Sequence, residues 1–189
     1  MKKEKKEIVI CYQAPIDELN VGRFLDLLEH KVPDDCEKLI LLMNSTGGSI
    51  RFAIGLYNLL HSLSCTVVAY NISCVDSAAL LMYLGASERY CTSTARFLVH
   101  PVYHLIHTEK NLDELSSLVQ EMSMDTEVIA EILADNSLQC KEKWLEQMKR
   151  RHCLTAQEAL SLGLAKEVSC LPSITCSDIF YVKLDTTQQ

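Results

Sequence analysis

The sequence contains the stretch Leu39-Ile40-Leu41-Leu42-Met43-Asn44-Ser45-Thr46-Gly47-Gly48, in which a short apolar run ends in a polar turn with two glycines. A helical pattern follows over residues 49–63. Its apolar positions share one face: Ile50, Ala53, Ile54, Tyr57 and Leu60, with Leu63 at the end. A buried strand, a short turn and an amphipathic helix in this order form the repeating unit of parallel sheets. The stretch therefore predicts an α/β fold.

The same arrangement recurs twice along the chain. The apolar run Thr66-Val67-Val68-Ala69-Tyr70 leads towards Asp76-Ser77, which the small residues Ala78-Ala79 follow. The run Arg96-Phe97-Leu98-Val99 ends on His100. In open α/β sheets, ligand-binding and catalytic groups collect just beyond the carboxyl ends of the strands. We therefore expect the glycine pair, the serine and the histidine to lie together.

These residue types suit acyl transfer. Ser77 is the candidate nucleophile, and His100 is the candidate general base that would take its proton. The backbone N–H groups of Gly48 and Ala78 would form an oxyanion hole, because a glycine lets the backbone approach a substrate closely. Alone, Ser77 could be only a helix N-cap, and His100 only a hydrogen-bonded surface residue. The three elements in this order indicate a serine hydrolase.

The order of these motifs resembles the proteolytic subunit of the Clp protease, ClpP. The glycine turn is similar to that family's Asn-Ser-Pro-Gly-Gly, and Arg96-Phe97-Leu98-Val99-His100 is similar to its Arg-Val-Met-Ile-His strand. Its closing segment resembles Leu154-Thr155-Ala156-Gln157-Glu158-Ala159 and Gly163-Leu164-Ala165. The likeness extends over about residues 8–168. It implies a ClpP/crotonase-type fold (a ββα-superhelix with a mainly parallel sheet) and a serine endopeptidase that acts on peptides or unfolded proteins.

The resemblance also assigns the nucleophile. Counting without a gap from Gly48, Tyr57 matches a tyrosine of the family's next helix and Ser77 matches its nucleophile. Counting backward from Gly85 places Asp76 there instead, so one residue is missing between Ser77 and Gly85. The forward match is longer, and we expect the missing residue late in the helix that follows Ser77.

The family's triad acid has no counterpart at the expected place, where Arg151 stands. The acid of a triad holds the imidazole in the right tautomer and stabilises the imidazolium, and its loss costs about 10⁴ in kcat in the trypsin example. A guanidinium there opposes the imidazolium by like charge. Asp76, beside the nucleophile, and Glu146 are alternative acids, neither of them well placed by spacing.

A long helical pattern covers residues 111–136. Its apolar positions are Leu112, Leu115, Leu118, Val119, Met122, Val128, Ile129, Ile132 and Leu133. A helix of this length measures about 37 Å, too long to lie wholly on a small sheet. We expect it to project as the family's handle helix does, which implies a homo-oligomer of stacked rings. The alternative is a helix that covers the core.

The remaining elements are shorter. We expect a strand over residues 7–11, helices over 17–31 and 141–149, a capping box Thr155-x-x-Glu158 opening a last helix that stops at Gly163, and a strand over 179–184. In the first helix, the residues expected to face inward are Leu19, Phe24, Leu25, Leu27 and Leu28. The chain is predicted to be one domain over residues 1–189: a core of about 8–110 and 150–170, a handle of about 111–137 and a tail of 171–189.

Two other functions compete with the peptidase. Arg151 would suit a catalytically silent subunit of the same architecture, acting as a structural or binding protein. A crotonase-type acyl-CoA enzyme shares the broad fold and holds a thioester oxyanion with paired backbone N–H groups. Against the acyl-CoA enzyme stands the Ser77 and His100 pair, since that chemistry usually requires carboxylates near the acyl α-carbon.

Composition narrows the class of protein. The 189 residues are 48% hydrophobic and 23% charged, with a net charge of −7. The negative charge argues against a nucleic-acid partner. With no secretory pattern and no apolar stretch of about 20 residues, we expect a cytoplasmic protein without a membrane partner. Only about seven residues precede the first strand. The family's ATPase-receiving segment is therefore short, which leaves a Clp-type ATPase partner open.

Metal and cofactor sites find little support in the sequence. The nine cysteines include no C-x-x-C pair, so we expect buried, reduced thiols. His104 and His107 lie at helical spacing from His100, but no carboxylate or cysteine falls in register with them. The sequence predicts neither a metal nor a cofactor.

Overall fold

The computed structural model describes residues 7–174 and 179–183. The elements of its first half are β1 (Glu7–Gln13), α1 (Glu18–Lys31), β2 (Lys38–Ser45), α2 (Ile50–Ser62), β3 (Thr66–Asp76), α3 (Ala79–Leu84), β4 (Glu88–Cys91) and β5 (Arg96–Val99). Those of its second half are α4 (Leu112–Asp135), α5 (Lys141–Met148), β6 (His152–Thr155), α6 (Ala156–Ser161), β7 (Glu167–Val168) and β8 (Ile179–Lys183).

Within the described residues, eight strands form one sheet. Its main path is β6-β5-β3-β2-β1-β8, while β4 pairs with β3 and with β7. All neighbouring strands run parallel except β5 and β6, which are antiparallel. The apolar strand patterns explain this architecture, because strands buried on both faces lack polar alternation. The expected mainly parallel α/β sheet is confirmed.

Strand β3 is longer than its apolar run and changes neighbour along its length. Its first part pairs with β4 from Val68 to Asn71, and its last part pairs with β5 from Cys74 to Asp76. Asn71 is fully buried where the neighbours change, and its Nδ2 donates to the carbonyl of Arg96 at 2.8 Å. The side chain of this asparagine thus joins β3 to the start of β5 and brings the end of β3 beside β5.

Helix α1 corrects one expectation about its inward face. Leu19 and Leu25 are 60% and 42% exposed, whereas Val21 and Phe24 are buried. The side chain of Asp17 caps the helix by accepting from the N–H of Asn20 at 2.8 Å. Phe24 packs edge-on against Tyr12 of β1 with ring centroids 5.8 Å apart, and this orientation of the helix leaves Leu19 and Leu25 beside the buried stripe rather than on it.

Helix α4 projects from the body of the protein. Its buried residues, Ala130, Ile132 and Leu133, all lie in its last two turns. Towards the other end, Leu112 is 78% exposed and Val119 is 62% exposed. The projecting handle is therefore observed, and the alternative of a core-covering helix is wrong.

The base of the handle is held by the half-buried guanidinium of Arg89. Arg89 donates to the side-chain Oδ1 and to the carbonyl of Asn136, both at 3.0 Å, and to the carbonyl of Leu164 at 3.0 Å. Asn136 in turn donates to the hydroxyl of Tyr57 at 3.1 Å. These bonds tie the end of α4 to β4 and α2, so the handle starts from a fixed position.

The structure also shows the predicted capping box, the tail strand and the burial of some of the cysteines. The capping box of Thr155 and Glu158 is present, and the tail strand is β8, with Leu184 outside the described residues. Strands β4, β6 and β7 were not predicted from the sequence. Eight described cysteines are free, but only Cys11, Cys36 and Cys91 are buried, so the expectation of buried thiols holds for part of the set; Cys176 lies outside the described residues. No helix in the described part of the chain is long and apolar enough to span a membrane.

Candidate active site

The glycine turn after β2 needs glycine at both positions. Gly47 and Gly48 have φ angles of +86° and +149°, which side chains other than hydrogen rarely allow. A Cβ on Gly48 would lie 2.3 Å from the carbonyl oxygen of Ile16. The turn is fixed there because Ile16 donates to the Gly47 carbonyl at 2.8 Å and accepts from Ser49 at 2.7 Å.

Gly47 also lets this turn approach the end of β3. A Cβ on Gly47 would lie 2.5 Å from the carbonyl oxygen of Asp76 and 2.8 Å from the Cβ of Ser77. Both distances are shorter than real Cβ contacts allow. The absence of a side chain at Gly47 is therefore what brings the glycine turn against the candidate nucleophile.

Ser77 occupies a tight turn between β3 and α3. It is the only residue other than glycine with a positive φ, +57°, in the part of the chain that the structure describes. This conformation costs an ordinary residue about 1–2 kcal/mol, and a serine on a strained strand-to-helix turn is typical of hydrolase nucleophiles. The Ser77 N–H donates to the carbonyl of Leu98 at 2.7 Å, so the turn is bound to β5.

Four of the predicted site residues line one cavity of about 300 Å³: Gly48, Ser77, Ala78 and His100. Among the described residues, neither the Gly48 N–H nor the Ala78 N–H donates to a protein acceptor. Both donors are thus available to a ligand. The rest of the wall is largely apolar and includes residues of α2, α3, α4 and α5: Ile50, Leu80, Leu81, Ile129, Leu133 and Met148.

The orientation of His100 follows from its hydrogen bond. Its Nδ1 lies 2.6 Å from the carbonyl oxygen of Pro101. A carbonyl oxygen only accepts, so Nδ1 carries the proton and Nε2 keeps its lone pair. This is the tautomer that a general base needs. No hydrogen bond joins Ser77 to His100 in the described residues, and catalytic hydrogen bonds are often long without a substrate.

Arg151 lies outside the cavity lining, directly before β6. In the antiparallel pairing of β5 with β6, His152 lies opposite Val99. One further step in this register places Arg151 opposite His100. The residue is exposed, and its charge still lowers the pKa of Asp76. The strand register thus puts Arg151 opposite His100, at the position where an acid was expected, with its side chain exposed.

Asp76 is a buried carboxylate behind the nucleophile. Its Oδ2 is 3.2 Å from Nη2 of Arg96, and its Oδ1 is buried without a hydrogen-bond partner in the described structure. Burial raises the pKa of this carboxyl above its ordinary value, and the charges of Arg96, Arg151 and His100 oppose that rise. Asp76 therefore acts electrostatically on the site, although the Nδ1 of His100 is bonded elsewhere.

Glu146 is not placed to serve as the acid. Its Oε2 accepts a hydrogen bond from Nζ of Lys149 at 2.8 Å, and its side chain is largely exposed. That bond lowers the pKa of the Glu146 carboxyl. The side chain is thus occupied on the surface of α5, away from the cavity lining.

His104 and His107 lie in the exposed loop before α4. In the described part of the chain, no group of three or more His, Cys, Asp or Glu side chains could hold a metal ion. The histidine pair therefore forms no ligand cluster with the carboxylates of the handle.

Comparison with known proteins identifies the family of this chain. Residues 2–170 match the family model described as "Clp protease". The chain belongs to the Clp protease family. The family that the sequence motifs indicated is thereby confirmed.

Individual relatives are distant but cover most of the chain. One named ATP-dependent Clp protease proteolytic subunit 2, from Tropheryma whipplei (strain Twist), is 26% identical over 167 residues, 87% of this chain and 91% of the relative. Another of the same name, from Chlamydia trachomatis serovar D, is 27% identical over 87% of this chain and 81% of the relative. The solved structure of a ClpP1 mutant from Listeria monocytogenes overlaps with a TM-score of 0.72 at 22% identity, over 88% of this chain and 92% of that one. This overlap shows the fold.

Sequence reasoning missed three groups of the site. It did not predict the bond from His100 to the Pro101 carbonyl, the ion pair of Asp76 with Arg96, or the stacking of Tyr103 on His100 with ring centroids 5.1 Å apart. The ion pair follows from the strand pairing: Arg96 lies opposite Cys74, two residues before Asp76 on β3, so the two side chains share a face of the sheet. The other two depend on loop geometry, which no sequence pattern indicates.

The raised pKa of Asp76 makes stability depend on pH. The folded state binds a proton at this carboxyl more readily than the unfolded state, whose ordinary pKa is 3.8. The stabilisation by Asp76 is therefore fully present below that value and is lost as the pH rises through the raised pKa. We expect the free energy of unfolding of the wild type, relative to Asp76→Asn, to fall as the pH rises above about 4.

Urea denaturation followed by the fluorescence of Trp144, the single and fully buried tryptophan, measures this difference. The matched control is Asp26→Asn, which alters an exposed carboxylate on α1 and should show no such trend. A difference for Asp76→Asn that stays constant or grows in favour of the wild type with rising pH would contradict the raised pKa.

Proposed function

We propose that this chain is a serine peptidase that hydrolyses peptide bonds in peptides or unfolded proteins. The observation that carries the proposal is a single cavity lined by Ser77, His100 and the two unused N–H donors of Gly48 and Ala78. Membership of the Clp protease family supports the same reaction. The names of the curated relatives describe proteolytic subunits as well.

Each group has a chemical role in this proposal. The Oγ of Ser77 attacks the peptide carbonyl while Nε2 of His100 accepts its proton. The N–H groups of Gly48 and Ala78 donate to the oxyanion that forms, and one such donor is worth about 10² to 10³ in rate. His100 then passes the proton to the leaving amine, and water hydrolyses the acyl-enzyme by the same steps.

The proposed reaction lacks one component of a complete triad. The Pro101 carbonyl fixes the tautomer of His100, but it carries no full negative charge to stabilise the imidazolium. A guanidinium at Arg151, opposite His100 in the strand register, would oppose that cation, whereas the neighbouring carboxylate of Asp76 would favour it. These opposing charges favour a slow peptidase.

The cavity wall also bears on the substrate. Its apolar residues come from α2, α3, α4 and α5, and a wall of this kind accepts an apolar side chain more readily than a charged one. We propose that cleavage follows apolar residues in the substrate.

A fluorophosphonate probe tests the nucleophile directly. We expect the probe to label Ser77 and the Ser77→Ala variant to lose both labelling and hydrolysis of small peptide esters. Peptide mass spectrometry locates the label, and ester hydrolysis measures activity. Ser73→Ala, at an exposed position on the preceding strand β3, should keep both the labelling and the hydrolysis. Full activity in purified Ser77→Ala would remove this serine from the mechanism.

A catalytically silent subunit is the second candidate, and Arg151 is the observation that favours it. A guanidinium opposite His100 disfavours the imidazolium on which the reaction depends. In this case the protein would use the same architecture for a structural or binding role. Well-folded protein that no fluorophosphonate labels would support this alternative.

The Arg151→Asp variant distinguishes an active site that is slowed by Arg151 from one that is catalytically silent. A carboxylate at this position would remove the like charge and stabilise the imidazolium, so we expect ester turnover to rise by about tenfold or more. Steady-state kinetics measure the change, with Arg150→Asp as a control of equal charge at the neighbouring exposed position. A brisk wild type that Arg151→Asp leaves unchanged would mean that another group stabilises His100.

We further propose a homo-oligomer of stacked rings, in the cytoplasm. Apolar side chains along the handle support this assembly, because a lone subunit would leave them exposed: Leu112, Leu115, Val119, Met124 and Val128. The relatives' printed names include "ATP-dependent", which supports a Clp-type ATPase as a partner.

Light scattering tests the assembly. We expect a mass that is a multiple of the 21.3 kDa chain at micromolar concentration. Val119→Asp should reduce this mass, because it places a charge on the apolar face of the handle. Gln120→Asp adds the same charge at the adjacent exposed position and should have little effect. A wild-type monomer would count decisively against the proposal.

A further inference from the structure

Tyr103 lies directly against the imidazole of His100. The two rings are stacked, with centroids 5.1 Å apart and planes inclined by 23°. Tyr103 belongs to the loop between β5 and α4, and it also lines the candidate cavity. The residue is 68% exposed, so its position does not come from burial in the core. Its aromatic ring contacts the imidazole of His100.

The stack and the Pro101 carbonyl restrain different motions of His100. The 2.6 Å bond from Nδ1 fixes the tautomer and the direction of one ring edge. The face of Tyr103 restricts rotation of the ring out of its plane. Together they leave Nε2 unbonded and the ring orientation defined, which is the geometric part of what a triad acid does.

The stack with Tyr103 also has an electrostatic effect on His100. The charges of Arg96, Arg151 and His100 all act on the buried carboxyl of Asp76 and oppose the rise in its pKa that burial causes. An aromatic face attracts a cation through its quadrupole. The aromatic face of Tyr103 therefore attracts the positive charge that His100 carries after it accepts the serine proton.

We propose that Tyr103 is a positioning residue for His100, and that with the Pro101 carbonyl it takes over the orienting role of the absent acid. This rests on the proposed peptidase function of the same site. The chemistry needs only the aromatic face, since the phenol hydroxyl has no hydrogen bond in the described structure. Phenylalanine should therefore replace tyrosine, and an aliphatic residue should not.

Three variants of the full chain test the proposal. Tyr103→Leu should lower kcat for a small acetyl ester, and the rate of Ser77 labelling by a small fluorophosphonate, by about three- to tenfold, the range that a cation–aromatic contact of this kind corresponds to. Tyr103→Phe should restore both rates to near the wild-type value. Leu105→Ala, an 82% exposed position of the same loop, controls for disturbance of the loop.

The two kinetic constants distinguish positioning from substrate contact. If Tyr103 only lined the cavity, Tyr103→Leu would raise KM for long apolar peptides and leave the labelling rate unchanged. That result would overturn the proposal, as would Tyr103→Phe behaving like Tyr103→Leu. An unchanged KM for the small ester with a lower kcat supports it.

A spectroscopic measurement separates this inference from the proposed function. In protein labelled with ¹³C-histidine, the ring current of Tyr103 should shift the Cε1 proton of His100 upfield. The shift should persist in Tyr103→Phe and vanish in Tyr103→Leu, with the resonance assigned by His100→Gln. Wild-type protein that shows no labelling of Ser77 but keeps this shift would overturn the peptidase and not the stack. Absence of the shift would overturn the stack.

Discussion

The side chain of Asn71 holds the place where β3 changes its neighbour, and the geometry of the site depends on it. Its Nδ2 donates to the Arg96 carbonyl at 2.8 Å, its Oδ1 accepts from Ser73 at 3.1 Å, and its own carbonyl accepts from Thr92 at 3.0 Å. A fully buried amide satisfied on all sides specifies one arrangement of the chain, because an unpaired alternative is costly in free energy. This arrangement brings the end of β3 beside β5, and so brings Ser77 within reach of the strand that ends at His100.

The site also depends on the close approach of the glycine turn after β2 to neighbouring backbone. Gly47 allows the turn after β2 to contact Asp76 and Ser77, and Gly48 allows it to pair with Ile16. Three strand ends meet there with two backbone donors unused. The handle adds the outer wall of the cavity through Ile129 and Leu133, which the Arg89 bonds keep in place. The site is thus built from elements that are rigid in the core and from one loop, between β5 and α4, that is largely exposed.

The electrostatics of the site differ from those of a complete triad. A carboxylate, Asp76, is buried next to the nucleophile and paired with Arg96, while Arg151 lies opposite His100 in the register of β5 with β6. The burial of Asp76 raises its pKa, and the nearby cations oppose the rise. Orientation of His100 then falls to uncharged groups, the Pro101 carbonyl and the Tyr103 ring. The lack of a carboxylate partner for His100 is the reason why we propose slow chemistry.

The sequence by itself determined the parallel α/β architecture, the projecting handle and the grouping of Gly48, Ser77 and His100, because apolar periodicity and strand-end position are local signals. It did not determine the inward face of α1, since the packing of Val21 and Phe24 against the core sets the rotation of the helix and leaves Leu19 and Leu25 exposed. It also missed β4, β6 and β7, which are short strands defined by their partners rather than by their own pattern. Only the tertiary structure decided what surrounds His100. The Pro101 carbonyl and the Tyr103 ring contact the imidazole through loop geometry, and the register of β5 with β6 puts Arg151 opposite His100. Both depend on the placement of distant segments, which leaves no periodic trace in the chain.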